Sequence, residues 1–254
     1  MSRWEADVGI VGFGRCGRLA AETLYPTCRV TVTDVRDLSR DAEALGVGWS
    51  DLAGVASRPW VLLAVPIRAL PLVLDGVAPH LRGDALLVDT ASVKVRPMEW
   101  MAERLPAGAA FAGTHPLFGP DSVREAGLAG QRIAVCAAPG REEAADEVAA
   151  FARRLGLEPV RVEPEAHDRD MARSQALAFL IARALKRAGI GPPELTTPSE
   201  RRVFAALALT DADSSELYED ILALNPFAAE AAGSLEAALR AEIARASGGP
   251  GTSL

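Results

Sequence analysis

The feature that most constrains the fold is a glycine-rich turn, G-F-G-R-C-G over residues 12–17, that joins an apolar run to a helix-forming stretch. Residues 7–11 read D-V-G-I-V and predict a short buried strand, whereas residues 15–25 predict a helix. The first glycine of such a turn permits the tight bend, the second lets a pyrophosphate approach the backbone, and the third allows the helix to lie close to the strand. The sequence therefore predicts a strand, a turn and a helix whose N-terminus can bind phosphate groups.

Strand-like and helix-like stretches then alternate as far as residue 162. This alternation predicts a doubly wound α/β fold of the Rossmann type, in which helices cover both faces of a mostly parallel sheet. The predicted strands are 7–11, 29–33, 60–65, 85–88, 109–112, 133–136 and 160–162, and the predicted helices are 15–25, 37–45, 66–81, 94–105 and 141–155.

Strand-like runs stop after Pro164, and the Ala-, Leu- and Arg-rich periodicity predicts only helices from there on. One long helix is expected over 165–187 and a last one over about 226–246. Helices are also expected to start at Thr197 and Asp213, each followed three residues later by a glutamate. We therefore expect a dinucleotide-binding domain over residues 1–163, an all-α domain over 164–246, a disordered tail over 247–254 and no separate regulatory domain.

Composition excludes several classes of protein. The formal net charge is −7 and no basic run is present, so a nucleic-acid-binding surface is not expected. The three cysteines are widely spaced and predict neither a disulfide framework nor a metal site. Because no apolar stretch approaches the roughly 20 residues of a membrane helix and no signal core is seen, we expect a cytoplasmic protein that binds a small molecule.

A carboxylate supports a dinucleotide ligand. Asp34 closes the second predicted strand about 20 residues after the glycine turn, where it can accept hydrogen bonds from ribose hydroxyls. This position favours NAD, although the nearby Arg36 leaves NADP open. A glycine-rich turn in some other α/β protein is the alternative interpretation. The predicted cofactor-binding residues are Gly12, Phe13, Gly14, Arg15, Cys16, Gly17 and Asp34, with Val65 and Pro66 at the end of the third strand.

Two polar motifs follow neighbouring strands of the predicted sheet. Residues 89–94 read D-T-A-S-V-K and residues 113–120 read G-T-H-P-L-F-G-P. Open α/β sheets bind their ligands at the carboxyl ends of the strands, so these two motifs should meet in one crevice. Neither motif has the ligand pattern of a metal site.

With H-D-R-D-M-A-R-S-Q-A-L over residues 167–177, these motifs make the chain resemble the prephenate dehydrogenase family across almost its whole length. The resemblance implies NAD-dependent oxidative decarboxylation of a cyclohexadienyl acid, as in tyrosine biosynthesis. It also implies a nucleotide-binding domain followed by a helical dimerisation domain, and thus a homodimer formed through the C-terminal helices.

The resemblance also implies roles for particular residues. His115 matches the family's catalytic histidine, and Ser92 matches the serine beside it. A neutral imidazole that accepts the proton of the ring hydroxyl would help the hydride to leave. Lys94 and Thr114 are expected to contact the substrate. Without the resemblance, Ser92 would be interpreted as a helix N-cap and Lys94 as a solvated lysine of a first helical turn.

Residues of the helical domain match the family less completely. Gln175 matches a polar position that reaches the substrate, whereas His167 matches a histidine at a helix start, which is more often structural. Leu209 stands where many members carry the arginine for the ring carboxylate, and Ala178 stands where a basic residue is common. Arg201, with its neighbour Arg202, is the best substitute to bind that carboxylate.

These departures leave other substrates and other activities open. Arogenate and 4-amino-4-deoxyprephenate are close analogues of prephenate and would suit the same mechanism. A β-hydroxyacid dehydrogenase would rely on a lysine in its helical domain, where Lys186 is the sole lysine and has no supporting motif. A nucleotide-binding sensor without catalysis is the alternative from another class, and the intact pair of Ser92 and His115 argues against it.

Overall fold

The computed structural model describes residues 7–208, 210 and 214–247. The chain divides into two compact units, one ending at His167 and the other beginning at Asp168. The strands of the first unit are β1 Asp7–Val11, β2 Arg29–Thr33, β3 Gly48–Trp49, β4 Trp60–Leu63, β5 Leu86–Asp89, β6 Ala110–Pro116, β7 Arg132–Ala137 and β8 Glu158–Arg161. Its helices are α1 Arg15–Leu24, α2 Ser39–Leu45, α3 Leu52–Ala56, α4 Leu70–Val77, α5 Val95–Arg104, α6 Pro120–Ala126 and α7 Glu142–Arg154.

The eight strands form one sheet in the order β3-β2-β1-β4-β5-β6-β7-β8. All neighbours are parallel except β6 and β7, which are antiparallel. Every residue of β5 is buried, as expected for a central strand that is covered on both faces. The predicted doubly wound, mostly parallel sheet of the Rossmann type is confirmed.

The glycine turn has the geometry that its sequence predicts. Gly12 has a φ of 95°, and a Cβ atom there would lie 2.3 Å from the carbonyl oxygen of Ala64. A Cβ atom on Gly17 would lie 1.9 Å from the carbonyl oxygen of Gly12. Gly12 is therefore required for its positive φ. Gly12 and Gly17 are both required for the close approach of β1, β4 and α1.

Three short elements were not predicted, because each is too brief to show a hydrophobic period. Strand β3 has two residues, and α3 has five, capped by Asp51, whose carboxylate accepts the Gly54 N–H at 2.8 Å. Helix α6 has seven residues and lies between two predicted strands, where no element was predicted. Strand β6 also runs on to Pro116, beyond the predicted end at residue 112, because its last residues pair with β7.

The second unit is helical, as predicted. Helix α8 Pro164–Met171 crosses the boundary between the units and continues through a π-helical turn, Ala172–Ala176, into α9. At the start of α10, the Thr197 N–H bonds the Glu200 carboxylate at 2.8 Å, and the Glu200 N–H bonds the Thr197 hydroxyl at 3.4 Å, so the predicted capping box is present. The remaining helices are α9 Leu177–Arg187, α10 Pro198–Ala208, α11 Ser215–Leu224 and α12 Ala228–Ser247.

Some predictions fall on residues outside the described ranges. These are the helix start at Asp213, the substitution at Leu209 and the tail from residue 248 onward. The N-cap of α11 is Ser214, whose hydroxyl accepts the Leu217 N–H at 3.1 Å.

Apolar side chains are exposed on the helices of the second unit. Val203, Leu239 and Ile243 are 58%, 53% and 64% exposed, respectively. Such residues suit a helical interface, and the homodimer stays a prediction. Within the described ranges, no helix combines the length and the apolar character needed to cross a membrane.

Replacement of Gly17 by alanine should destabilise the first unit by about 1–3 kcal/mol, because the new methyl group overlaps the Gly12 carbonyl. Gly14→Ala is the matched control in the same turn, since a Cβ atom there meets nothing within 4 Å. An N-cap exchange of this kind costs at most about 1 kcal/mol. Urea unfolding of the two variants measures the difference, and equal losses would contradict the steric explanation.

Candidate active site

The N-terminus of α1 is open for an anion. Gly14 is the N-cap, so no side chain caps the first backbone N–H groups of the helix. The first helical turn contains no acidic residue. The space where its Cβ atom would stand is empty within 4 Å. The backbone N–H groups and the positive end of the helix dipole can therefore meet a phosphate group.

The other residues of the turn differ in the solvent exposure of their side chains. Arg15 and Cys16 are exposed, and the Arg15 guanidinium forms an ion pair with Asp121 of α6. Phe13, by contrast, is only 2% exposed, and the Arg18 guanidinium lies 5.2 Å from the centre of its ring. Phe13 thus contributes its side chain to the core and only its backbone to the turn.

Asp34 links the end of β2 to the glycine turn. One carboxylate oxygen accepts the Phe13 N–H at 2.8 Å, and the other accepts the Arg36 N–H at 3.0 Å and its Nε–H at 3.2 Å. Burial acts to raise the pKa of Asp34, but these hydrogen bonds and the Arg36 charge outweigh it and lower the pKa. Asp34 is therefore anionic at neutral pH, which suits ribose hydroxyls better than a ribose phosphate.

The end of β4 borders the same turn. The Ala64 N–H bonds the Val11 carbonyl oxygen at 2.8 Å, and a Cβ atom on Gly12 would lie 2.9 Å from a methyl carbon of Val65. Val65 is half-buried and Pro66 is exposed. Val65 thus lies beside the glycine turn, at the carboxyl ends of β1 and β4, and Pro66 follows it in the sequence, while their contact with a cofactor stays a prediction.

A buried ion pair joins the ends of β5 and β6. The Lys94 ammonium bonds a carboxylate oxygen of Asp89 and the carbonyl oxygen of Thr114, the latter at 2.5 Å. The Thr114 hydroxyl donates to the Asp89 carbonyl oxygen at 2.6 Å, and the Ala91 N–H donates to the Asp89 carboxylate at 2.8 Å. Lys94 and Asp89 have no exposed surface, and Thr114 is 2% exposed. Lys94 and Thr114 therefore hold two strands together, and their predicted contact with the substrate stays a prediction.

Burial has a large effect on Asp89. It raises the pKa of this carboxyl group, and the Lys94 ammonium, the Ala91 N–H and the charge of His167 oppose that rise. The second carboxylate oxygen, Oδ2, is buried and makes no hydrogen bond within the described ranges. The pair thus lies in a region of low dielectric at the strand ends, where electrostatic interactions between neighbouring charges are strong.

His115 lies beside this pair, next to the end of β6. It is 5% exposed and stands opposite Ala134 of β7 in the sheet register. Its Nδ1 atom lies 2.9 Å from Nε2 of His167, and the two rings meet edge to face with centres 5.1 Å apart. Burial, followed by the charges of His167 and Lys94, lowers the pKa of His115 well below 6.5. The imidazole is therefore neutral at pH 7, as a proton acceptor must be.

Ser92 lies in the segment that links β5 to α5, and its predicted place beside His115 stays a prediction. It is half-buried between β5 and α5, precedes the N-cap residue Lys94, and makes no hydrogen bond among the described residues. The partner of His115 is instead His167, in the first turn of α8, which is 3% exposed. The sequence motif included His167, but no local pattern shows that this turn lies against β6.

The predicted residues of the second unit differ in burial. Gln175 lies in the π-helical turn, and its Oε1 atom is buried without a hydrogen-bond partner among the described residues. Such turns are frequent at functional sites. Arg201 and Arg202 are exposed on α10, and Ala178 is half-buried on α9. Contacts of Gln175 and Arg201 with a substrate stay predictions.

Comparison with known families identifies the first unit. The family described as the nucleotide-binding domain of prephenate dehydrogenase matches residues 20–156. The chain belongs to the prephenate dehydrogenase family. The resemblance inferred from the sequence motifs is therefore confirmed, and with it a nucleotide-binding domain in the first unit.

Relatives in this family carry several names. Arogenate dehydrogenase 2 of Arabidopsis thaliana is 27% identical over 88% of this chain and 65% of its own length. Cyclohexadienyl dehydrogenase of Zymomonas mobilis is 31% identical over 69% of this chain and 64% of its own length. The 4-amino-4-deoxyprephenate dehydrogenase of Streptomyces pristinaespiralis is 30% identical over 78% and 64%. The chain thus spans less than two thirds of each of these relatives.

Solved structures of the family share the fold. Prephenate dehydrogenase from Aquifex aeolicus, in complex with hydroxyphenyl propionate and NAD+, has a TM-score of 0.77 at 20% identity, covering 96% of this chain and 92% of that one. Arogenate dehydrogenase of Synechocystis has a TM-score of 0.70 at 20% identity, covering 95% and 92%. At this identity the likeness concerns the fold alone.

Lys94→Met should destabilise the chain by about 3–5 kcal/mol, because it leaves the buried Asp89 carboxylate without its cation. Adding Asp89→Asn to this variant should recover much of the loss, since no charge is then buried. Arg96→Met, in the exposed ion pair with Glu99, is the matched control and should change the free energy of unfolding little. Urea unfolding measures all three, and a Lys94→Met variant as stable as the wild type would contradict the assignment.

Proposed function

We propose that the chain catalyses the NAD(P)-dependent oxidative decarboxylation of prephenate or of a close cyclohexadienyl analogue. The observation that carries the proposal is the neutral, buried His115 at the carboxyl end of the sheet, in the unit that also contains the phosphate-binding turn. Family membership supports it, since relatives are named for dehydrogenation of such acids.

The residues of the first unit fit a dinucleotide. The open N-terminus of α1 at Gly14 would hold the pyrophosphate, and the Asp34 carboxylate would accept hydrogen bonds from the adenosine ribose. Val65 and Pro66 would border the cofactor where it passes the end of β4. The anionic Asp34 favours NAD, while Arg36 beside it keeps NADP as an alternative. The bound nicotinamide would supply the hydride acceptor.

His115 would act on the ring hydroxyl of the substrate. Its Nδ1 atom faces His167, so Nε2 is the nitrogen that can take the hydroxyl proton. As that O–H bond breaks, its electron pair forms the carbonyl and the carbon releases hydride. The bond to the ring carboxylate then breaks, carbon dioxide leaves, and its electron pair makes the ring aromatic. Burial keeps His115 neutral and ready for the first of these steps.

The identity of the acid depends on groups around the ring. Prephenate and arogenate differ in the side chain, whereas 4-amino-4-deoxyprephenate carries an amine in place of the ring hydroxyl. Relatives named for arogenate, for cyclohexadienyl acids and for 4-amino-4-deoxyprephenate all match this chain at 27–31% identity, so identity does not rank the three. Ser92, which has no partner among the described residues, is the hydroxyl that we propose to contact the substrate beside His115.

Purified protein with NAD or NADP should form reduced nicotinamide with at least one of the three acids, as measured by its absorbance. His115→Asn should lower kcat/KM by about 10²–10⁴-fold, because a general base contributes that much. His80→Gln is the control, since His80 is exposed on the helical turn Ala78–His80 and belongs to neither motif. A sensor without catalysis would bind the cofactor and reduce none of it. Undiminished turnover by His115→Asn would falsify the role of His115.

The pH profile follows from the lowered pKa of His115. The reaction needs the neutral imidazole, so kcat/KM falls as the pH falls through its pKa. Because that pKa lies well below 6.5, the profile should stay level from pH 8 to below 6.5 before it declines. Initial rates at saturating cofactor across this range measure it. A decline that sets in at or above pH 6.5 would mean that His115 is not the titrating base.

A further inference from the structure

We infer that His167 is a positioning residue that holds His115 in the tautomer with its proton on Nδ1, and so leaves Nε2 as the proton acceptor. The use of Nε2 as a base rests on the proposed function, whereas the tautomer of His115 does not depend on it. His167 lies 52 residues from His115 in the sequence and reaches it from the first turn of α8.

The contact between the two rings is specific. Nδ1 of His115 and Nε2 of His167 lie 2.9 Å apart, a normal hydrogen-bond distance for two imidazole nitrogens. Both residues are nearly inaccessible, at 5% and 3% exposure, so water cannot easily replace either partner. The edge-to-face angle of 72° brings the two nitrogens together without stacking the rings. The Glu163 carbonyl oxygen accepts the His167 backbone N–H at 2.9 Å, which fixes this turn of α8.

A proton count limits the pair to two neutral arrangements. A hydrogen bond between two imidazole nitrogens holds one proton, so one ring donates and the other accepts. If His167 donated, the proton of neutral His115 would lie on Nε2, and that nitrogen could not act as a base. If His115 donates from Nδ1, its Nε2 carries a lone pair. Proton abstraction by His115 therefore requires His167 to be the acceptor.

The surroundings disfavour a charge on His115 before the reaction. Burial lowers the pKa of His115 most, followed by the charge that His167 would carry if protonated and by the Lys94 ammonium, so an added proton on His115 is opposed. The Lys94 ammonium acts on His115 and the Asp89 carboxylate interacts with His167, and both groups come from the region where β5 leads to α5. During the reaction, the imidazolium formed at His115 keeps its Nδ1–H bond to His167, so the new charge is shared over two rings.

This role differs from that of a structural helix-start histidine. A histidine that only packs would tolerate any side chain of similar volume, whereas a positioning residue needs an acceptor atom at the Nε2 position. Glutamine places an amide oxygen near that position, and leucine fills similar space without an acceptor. His167→Gln and His167→Leu therefore separate the two roles.

The test uses the full chain labelled with ¹⁵N, whose three histidines give few side-chain signals. Long-range ¹H–¹⁵N spectra of the wild type and of His80→Gln assign the buried pair. We expect His115 to carry its proton on Nδ1 in the wild type and in His167→Gln, and on Nε2 in His167→Leu. A wild-type His115 that carries its proton on Nε2 would overturn the inference. Because this result needs no variant, the inference can be tested even if His167→Leu does not fold.

Kinetics provide the second readout. His167→Leu should lower kcat by about 10²-fold or more, because its base has the wrong tautomer, while KM changes little. His167→Gln should recover most of that loss. Equal losses in the two variants would indicate a structural role and overturn the inference. If the wild type oxidises none of the three acids, the proposed function fails, and the spectra decide the tautomer on their own.

Discussion

The ion pair of Asp89 and Lys94 is the interaction on which the site depends. Two opposite charges with no exposed surface lie between the ends of β5 and β6, and the ammonium also bonds the Thr114 carbonyl oxygen. Burying charges costs free energy that their attraction only partly offsets. The pair is therefore better understood as a geometric constraint than as a source of stability, because it holds one strand end against the next directly before His115.

The same pair sets the electrostatic conditions for the two histidines. Burial first, and then the charges of His167 and Lys94, make the neutral imidazole of His115 the stable form. A low pKa also makes His115 a weaker base than a solvated histidine. The substrates that we propose each carry two carboxylates, and this negative charge would stabilise the imidazolium that forms. Base strength would thus increase only when the substrate is present, which protects the resting site from protonation.

Much of the first unit could be predicted from local patterns. Strands β1 and β2 have the predicted bounds, and the other long elements differ by a few residues at their ends. The glycine turn could be predicted because Gly12 and Gly17 have local steric reasons to be glycine. Neither the role of Lys94 nor the pairing of His115 with His167 could be predicted in this way. Both depend on which distant elements meet, and a solvated lysine and a buried one look alike in a sequence.

The reversal of direction between β6 and β7 has a consequence for the evolution of the site. Parallel pairing of β6 with β5 ends at Gly113, and the next three residues, which include His115, pair only with β7. The His115 side chain thus lies on the part of β6 that extends beyond β5, where the register is set by backbone hydrogen bonds to β7. The connection over residues 117–131 could lengthen, shorten or change sequence without moving the imidazole. Substrate range could therefore diversify through that connection, while the chemistry stays in place.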